Sequence, residues 1–595
     1  MPYTPYQRAN NATSTVAGGS GGLGTPLNPS DTTLRLPTSD GAKYPAVPPF
    51  MLLLGPSELA KCTLRSSDTL TLARGQEGTT AGTWPVGTTV QIAETAGTLS
   101  NMENALVASG LGVYNVRSPS YGAVADGVTD DTTAINAAIA AGVAAGGYCV
   151  IYLPPSSAGY GVSAPLAPLS APGMFLVGLR SSATWLKPLA SFSGAQIVSL
   201  TANFCGVRDL TIAYSSNINQ AASGNPVANG IQVTAARSCH IADVELRGIN
   251  GWAIQSTGTS SLSCFDLHVD RVHALHCAKG GHTVADTAQG FGGQQWWTDC
   301  NFEVIDSDEA MLIEDINDIW LTNFGASVGS GATTGRAIHV KGACSEIHIT
   351  QPDVGAVAGI TPTQPVVLIE SGTNGSPVEV EWEGGVSQGG TTPLSITSGA
   401  TLKFASATFK KGNGDGAQVS GLTGTATFEQ CTFKTNGAGG STAYDLNITA
   451  SSNLVRVRDC MLETTVGAGA NTVTACVNDT SHKGYFEGCH FLGAASASQV
   501  FASGGTPQIV RHCPGYNPRG NITAPTITAS PFSSNTSQHD VTIIFTAINT
   551  LTAFKIGGTS VGVLPVAGVP YHVPARQSLE LDYSGAAPTW QWYGD

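Results

Sequence analysis

The chain has 595 residues, 42% of them hydrophobic and only 11% charged, which excludes a disordered chain and leaves material for one long solenoid or several domains. A formal net charge of −14 excludes the basic face that a nucleic-acid partner requires, and counts mildly against a polyanionic substrate unless a local basic patch overrides the global sign. The 72 glycines suit a β protein whose short strands meet at many tight corners.

In chain order, Met1-Pro-Tyr-Thr-Pro-Tyr-Gln-Arg-Ala-Asn10 lacks the charged and apolar blocks of a secretion signal, and no run reaches the roughly 18 apolar residues of a membrane span. Assembly in a cytosol is therefore expected. Residues 1–103 read as a small β domain, with short strands at Thr33–Leu36, Phe50–Leu54, Thr69–Leu72 and Thr89–Ile92. A neck at 104–118 follows, in which Ser100 to Ser109 suggests a linker helix and Val113–Val116 the entry to a solenoid.

The stretch Tyr121-Gly-Ala-Val-Ala-Asp126-Gly-Val-Thr-Asp130-Asp131-Thr-Thr-Ala-Ile135-Asn-Ala-Ala-Ile139 is the most informative. Thr129 or Asp130 can cap a helix whose apolar stripe is Ala134, Ile135, Ala138 and Ile139, and capping and turn roles account for Asp126, Asp130 and Asp131. Gly146-Gly147 ends the helix, and Val150 to Leu153, closed by Pro154-Pro155, reads as a strand buried in a parallel sheet. A helix in that position covers the first strand of a stack and blocks edge-to-edge aggregation.

Repeats follow. Asp299-Cys-Asn-Phe-Glu303, Gln430-Cys-Thr-Phe-Lys434, Asp459-Cys-Met-Leu-Glu463 and Gly488-Cys-His-Phe-Leu492 share one frame, read as an inward-pointing strand. Cys431, Cys460 and Cys489 lie 29 residues apart and Cys239 and Cys264 lie 25 apart, as expected of equivalent positions in successive coils. Further strands are expected at Val207–Ile212, Cys239–Leu246, Ile338–Val340 and Ile347–Ile349. At about 24 residues per coil, residues 112–515 predict about 16 coils rising about 4.8 Å each. The 13 cysteines read as reduced core residues rather than disulfides or a metal site. His268, His273, His276 and His282, with Cys264 and Cys277, lack matched zinc spacing and are expected on different coils. Beyond Asn517, strands such as Val541–Phe545, Ala553–Ile556 and Leu579–Asp582 predict a β-sandwich ending in Trp590-Gln-Trp592.

The block from Tyr121 to Pro155, extended to Met174-Phe-Leu-Val-Gly178, closely resembles the entry motif of the pectate-lyase-like β-helix superfamily, which includes phage tailspikes, polysaccharide lyases and polygalacturonase-type hydrolases. Leu72-Ala-Arg-Gly-Gln-Glu-Gly-Thr79 with Trp84-Pro-Val-Gly87 is similar to a small attachment module of phage tail proteins, and the C-terminal segment resembles modules that cap, trimerise or bind sugar. The resemblance implies an all-β, right-handed parallel β-helix at 119–516 with a capping helix, an attachment domain at 1–103 and a C-terminal domain at 517–595. It further implies a homotrimer in a phage virion, joined to a tail or baseplate protein by its N-terminal domain. Bacterial surface polysaccharide is the expected partner, with neither nucleic acid nor membrane insertion.

Cleaving a glycosidic bond takes two carboxyl groups, one protonated and one ionised. Asp306, Asp308, Glu309, Glu314, Asp315 and Asp318 form the densest acidic cluster, without Lys or Arg among them from Asn301 to Trp320. Crowding is expected to raise at least one pKa, so Asp306, Asp308, Glu309, Glu314 and Asp315 are the catalytic candidates. A solvated turn, or a calcium site using the same oxygens, is the alternative; no other cofactor is expected. Trp296, Trp297 and Trp320 flank the cluster as sugar-gripping faces, although adjacent Trp296 and Trp297 must point to opposite sides of a strand. Glu379, Glu381 and Glu383 alternate with Val378, Val380 and Trp382, giving an acidic row that is a second substrate-binding candidate or the polar face of a half-buried strand. Hydrolysis is favoured over elimination, because a lyase of this superfamily uses Lys or Arg beside its acids. The expected function is a polysaccharide-depolymerising tail spike, an endoglycosidase, with a non-enzymatic glycan adhesin and a lyase as alternatives.

Overall fold

The computed structural model describes the chain apart from residues 1–12, 46–47, 94–111, 215–221, 260–263, 286–292, 305–308, 330–334, 357–362, 372–377, 440–441, 450–451, 468–470, 493, 495–496, 506, 514–515, 517–519, 536–539 and 595. The expected linker helix at Ser100–Ser109 lies outside the described residues. The chain divides into two compact units, Met1–Val113 and Tyr114–Asp595.

In the first unit an eight-stranded sheet contains all four expected strands, and a fifth, Glu58–Ser66, pairs antiparallel with Phe50–Leu54 and Thr69–Ala73. Alternation in these strands turns Leu34, Leu52, Leu54, Ala60, Cys62, Leu70 and Val90 into one core.

The second unit opens with the helix Thr132–Ala144. Asp130 accepts from the Thr132 N–H and hydroxyl, Asp131 from the Val124 and Ala125 N–H groups, and Asp126 from Val128 and Thr129. Ile135, Ala138 and Ile139 are buried in the same core as Cys149, Ile151 and Met174, so the helix covers the stack as expected. Gly146 and Gly147 end it in the left-handed region, at φ 89 and 85.

Each coil then lays down three strands. First-sheet strands run in parallel register from Cys149–Tyr152 to Ile509–Arg511, fourteen in succession. Second-sheet strands include Asn301–Val304, Gly325–Val328 and Asp353–Ala356. The third sheet has 11 strands, from Gln196–Leu200 to Ala475–Asp479. This is a parallel β-helix. The coil count falls below the expected 16 because coils average longer than 24 residues, ranging from 22 between partners Glu381 and Lys403 to 34 between Gly206 and His240.

The cysteine frame is a corner followed by the expected strand: its first two residues turn the chain, and Asn301–Val304, Thr432–Lys434, Met461–Leu462 and His490–Phe491 follow with Phe302, Phe433, Leu462 and Phe491 inside. Asp299, Gln430, Asp459 and Gly488 each take positive φ (53, 53, 51 and 67) between a first-sheet and a second-sheet strand, and the next residue, Cys, points inward. Short polar residues and glycine tolerate that conformation, which explains the letter before each Cys. Cys431, Cys460, Cys489 and Cys513 stack there, and all 13 cysteines are buried and free. Cys239 and Cys264 are not equivalent: His240 pairs with His268, so Cys239 lies opposite Leu267. The histidines from 268 to 282 share one coil rather than several, but on three different faces.

Two four-stranded sheets close the chain as a sandwich around Phe532, Ile543, Phe545, Phe554, Leu581 and Trp592. It joins the last coil through Arg511 and Asp540, 3.1 Å apart, and through a hydrogen bond from Arg576 to the Pro507 carbonyl.

Candidate functional site

Parallel register turns identical side-chain positions into columns about 4.8 Å apart. On the outer face of the first sheet, His240, His268, Trp296, Trp320 and His348 occupy one column. Their rings stack with centroids 5.5, 4.5, 5.1 and 5.5 Å apart and interplanar angles of 22°, 12°, 8° and 11°. All five are half-buried, each with an edge in solvent. The column continues as Glu381 and Lys403: Glu381 lies 3.4 Å from His348 Nδ1 and 2.6 Å from Lys403 Nζ. The Lys403 hydrogen bond holds the Glu381 carboxyl below its ordinary pKa.

Two residues earlier in each strand, on the same face, Asp318, Glu346 and Glu379 form an acid column beside the rings. A hydrogen bond to Asp318, reinforced by its charge, pushes the Glu346 carboxyl up. Asp318 came from the predicted cluster and Glu379 from the predicted acidic row; the fold brings them to either side of Glu346. Glu346 and His348 escaped sequence reading, although Ser345–Thr350 alternates like its neighbours and was legible as a strand.

Trp297 is corrected. Facing inward, it is fully buried with its ring edge-on to Phe302 at 5.9 Å, closed to any ligand. Glu381 and Glu383 face outward as expected, with Val380 and Trp382 inside.

The predicted acidic cluster does not stay together. Asp306 and Asp308 lie outside the described residues. Asp315 sits at a corner (φ 51) and accepts from the Ala343 N–H at 2.7 Å, anchoring the next coil. Glu314 ends the third-sheet strand Met311–Glu314 and Glu309 stands two residues before it, on a different sheet from Trp296 and Trp320. Neither acid is uncompensated. Arg336 stands 2.9 Å and His339 3.1 Å from Glu309; His282 stands 3.5 Å and Lys341 3.0 Å from Glu314. Burial pushes Glu309 up, but His339 and Arg336 outweigh it and hold the carboxyl at about 2. Hydrogen bonds from His282 and Lys341 likewise hold Glu314 at about 2 against burial. Crowding was expected to raise these acids, but cations from neighbouring coils, invisible in linear sequence, reverse the sign. Beside them the Trp252 ring lies tilted by 32° against His282 at 4.6 Å, with Lys279 Nζ 5.2 Å above the Trp252 ring.

Among the described residues, no group of three or more His, Cys, Asp or Glu converges to hold a metal, and no helix is long and apolar enough to cross a membrane.

Residues 113–351 match the family model described as rhamnogalacturonase A/epimerase, pectate lyase-like. This agrees with the resemblance carried by the Tyr121 block and with the parallel β-helix. No curated protein matches the chain. Among solved structures, the A-module of Azotobacter vinelandii mannuronan C-5 epimerase AlgE6 is 19% identical, with 67% of this chain and 98% of that one covered at a TM-score of 0.43. Tailspike protein gp49 of Acinetobacter baumannii bacteriophage Fri1, a capsular polysaccharide depolymerase, is 11% identical over 92% of this chain and 95% of that one, at 0.38. Tailspike protein 3 of bacteriophage CBA120 is 14% identical over 86% and 87%, at 0.37.

Proposed function

We propose that this protein is a tail-spike depolymerase that binds a bacterial surface polysaccharide along the outer face of its first sheet and hydrolyses it there. The carrying observation is the Trp296–Trp320 stack running beside the Asp318–Glu346–Glu379 column. The rings cover one another's faces, so a sugar chain would lie along the half-buried ribbon of their rims. Glu346, whose carboxyl the neighbouring Asp318 pushes up, is assigned as the general acid at the leaving oxygen. Glu379, about 4.8 Å further along the column, is assigned as its partner carboxyl, a backbone spacing close to that of retaining glycosidases. Attachment through the N-terminal unit and assembly of three copies belong to the same reading; light scattering on the purified chain tests the copy number.

Elimination is a second reading, favoured by one observation: Lys341 and Arg336 stand beside Glu314 and Glu309, the cation-beside-acid arrangement that the sequence was expected to lack. One experiment separates the two. Purified protein is incubated with capsular and surface polysaccharides, and new reducing ends are measured together with the ultraviolet absorbance of unsaturated uronate. Reducing ends without absorbance, lost about 10²- to 10⁴-fold in Glu346→Gln, establish hydrolysis at the first sheet. Absorbance that survives Glu346→Gln and disappears in Glu314→Gln moves the chemistry to the third sheet. Binding that weakens in Trp320→Ala, with no cleavage of any polysaccharide, leaves an adhesin.

A further inference from the structure

Around the corner from the aromatic column, the same coils enclose an open cavity of about 560 Å³ between the first and second sheets, within the size range of small-ligand pockets. Its floor is made by absent side chains. Gly325 and Gly355 lie in second-sheet strands, and neither has a positive φ, so backbone conformation does not demand glycine. A Cβ at Gly325 would meet Asn301 Oδ1 at 2.8 Å, and one at Gly355 would meet Gln388 Cγ at 2.8 Å, so either would displace a side chain that lines the cavity. Ser327, between them on the outer face, adds only a hydroxyl.

The walls are hydrogen-bonding groups. Asp299 and Asn323, left-handed corner residues of successive coils, are joined by a 2.6 Å hydrogen bond from the Asn323 amide to Asp299 Oδ1. Asn301 and Gln388 supply further amides, and Asp353 a second carboxylate. Among the described residues no cationic side chain lines the space, and the one aromatic residue, Phe324, is fully buried. Carboxylates and amides without a cation accept and donate to hydroxyls but repel anions.

We propose that this cavity is a second saccharide subsite, specific for a neutral sugar unit carried as a branch on the polysaccharide. The branch part rests on the reading of the first-sheet face given above: Trp296 and Asp299, and Trp320 and Asn323, are three residues apart, so a backbone lying on the rings passes the rim of the cavity.

The test uses the full chain and saturation-transfer NMR with glucose, galactose, N-acetylglucosamine and glucuronate as probes. In Trp320→Ala, the neutral sugars should still receive saturation, at least fivefold more than glucuronate, and adding Ser327→Trp to fill the cavity should reduce that signal at least fivefold. Asn301→Ala with Gln388→Ala, which removes bonding groups without adding bulk, should reproduce the loss, and circular dichroism melting checks that each variant folds. A neutral-sugar signal unaffected by both cavity variants, or equal for glucuronate, overturns the proposal. A signal already abolished by Trp320→Ala does so too while sparing the first-sheet reading. If Trp320→Ala leaves the wild-type signal intact and Ser327→Trp removes it, the cavity stands and the aromatic column fails as a sugar platform.

Discussion

Glu58 of the N-terminal unit is a fully buried carboxylate, and its surroundings explain a motif that sequence reading singled out without a cause. Arg74 donates to both of its oxygens at 2.6 and 2.8 Å, the Gly82 N–H at 2.9 Å and Trp84 Nε1 at 2.5 Å. Burial alone would raise its pKa; these donors outweigh it and lower it. Removing one partner of such a pair leaves an unpaired buried charge, so Arg74→Ala should destabilise this unit by about 3–5 kcal/mol, measured by denaturant unfolding. Asp445, inside the β-helix, shows the opposite balance. Asn436 and Thr464 donate to one of its oxygens, the other has no partner, and burial pushes its pKa up to about 7. The unfolded chain releases this proton near 3.8. Stability from this group is therefore full below about pH 4 and is lost as pH rises towards 7. Asp445→Asn should flatten that segment of a melting-temperature profile; an unchanged slope would show that another group titrates.

Within elements, what could be read in advance was whatever period and punctuation encode. The helix stripe, the alternation at Glu379–Glu383 and the opposed pair Trp296 and Trp297 follow from two local periods, and the structure reproduces each. The corners were misread because Asp-Cys and Gln-Cys look like strand ends until φ is known. The acid column was half legible for a different reason: Asp318, Glu346 and Glu379 are neighbours only through register, set by coil lengths that loops change at will. The same fact hid Arg336 and Lys341 from Glu309 and Glu314. The corner makes its own prediction. At Asp459, with φ 51, Asp459→Gly should be nearly neutral, whereas Asp459→Val should cost about 1–2 kcal/mol through its branched Cβ, both read from urea unfolding.

For the whole molecule, two opposed titrations bound the stability curve. Glu309 and Glu314, held at about 2 against an ordinary 4.5, contribute stability that is complete above about pH 4.5 and is lost as pH falls through about 2. Asp445 removes stability between about 4 and about 7. Thermal melting across pH should therefore peak in the mildly acidic range, at about pH 4–5, and fall on both sides; a plateau through neutrality would refute the buried role of Asp445.

The left-handed corner carries one more consequence. It fixes where a first-sheet strand hands over to a second-sheet strand in successive coils, leaving the other connections to absorb coils that differ by as much as 12 residues, from 22 to 34. A lineage carrying this chain can therefore rewrite those connections by insertion and deletion without shifting the ring column or the acids beside it. The surface can change by editing loops, while the frame beneath them is inherited intact.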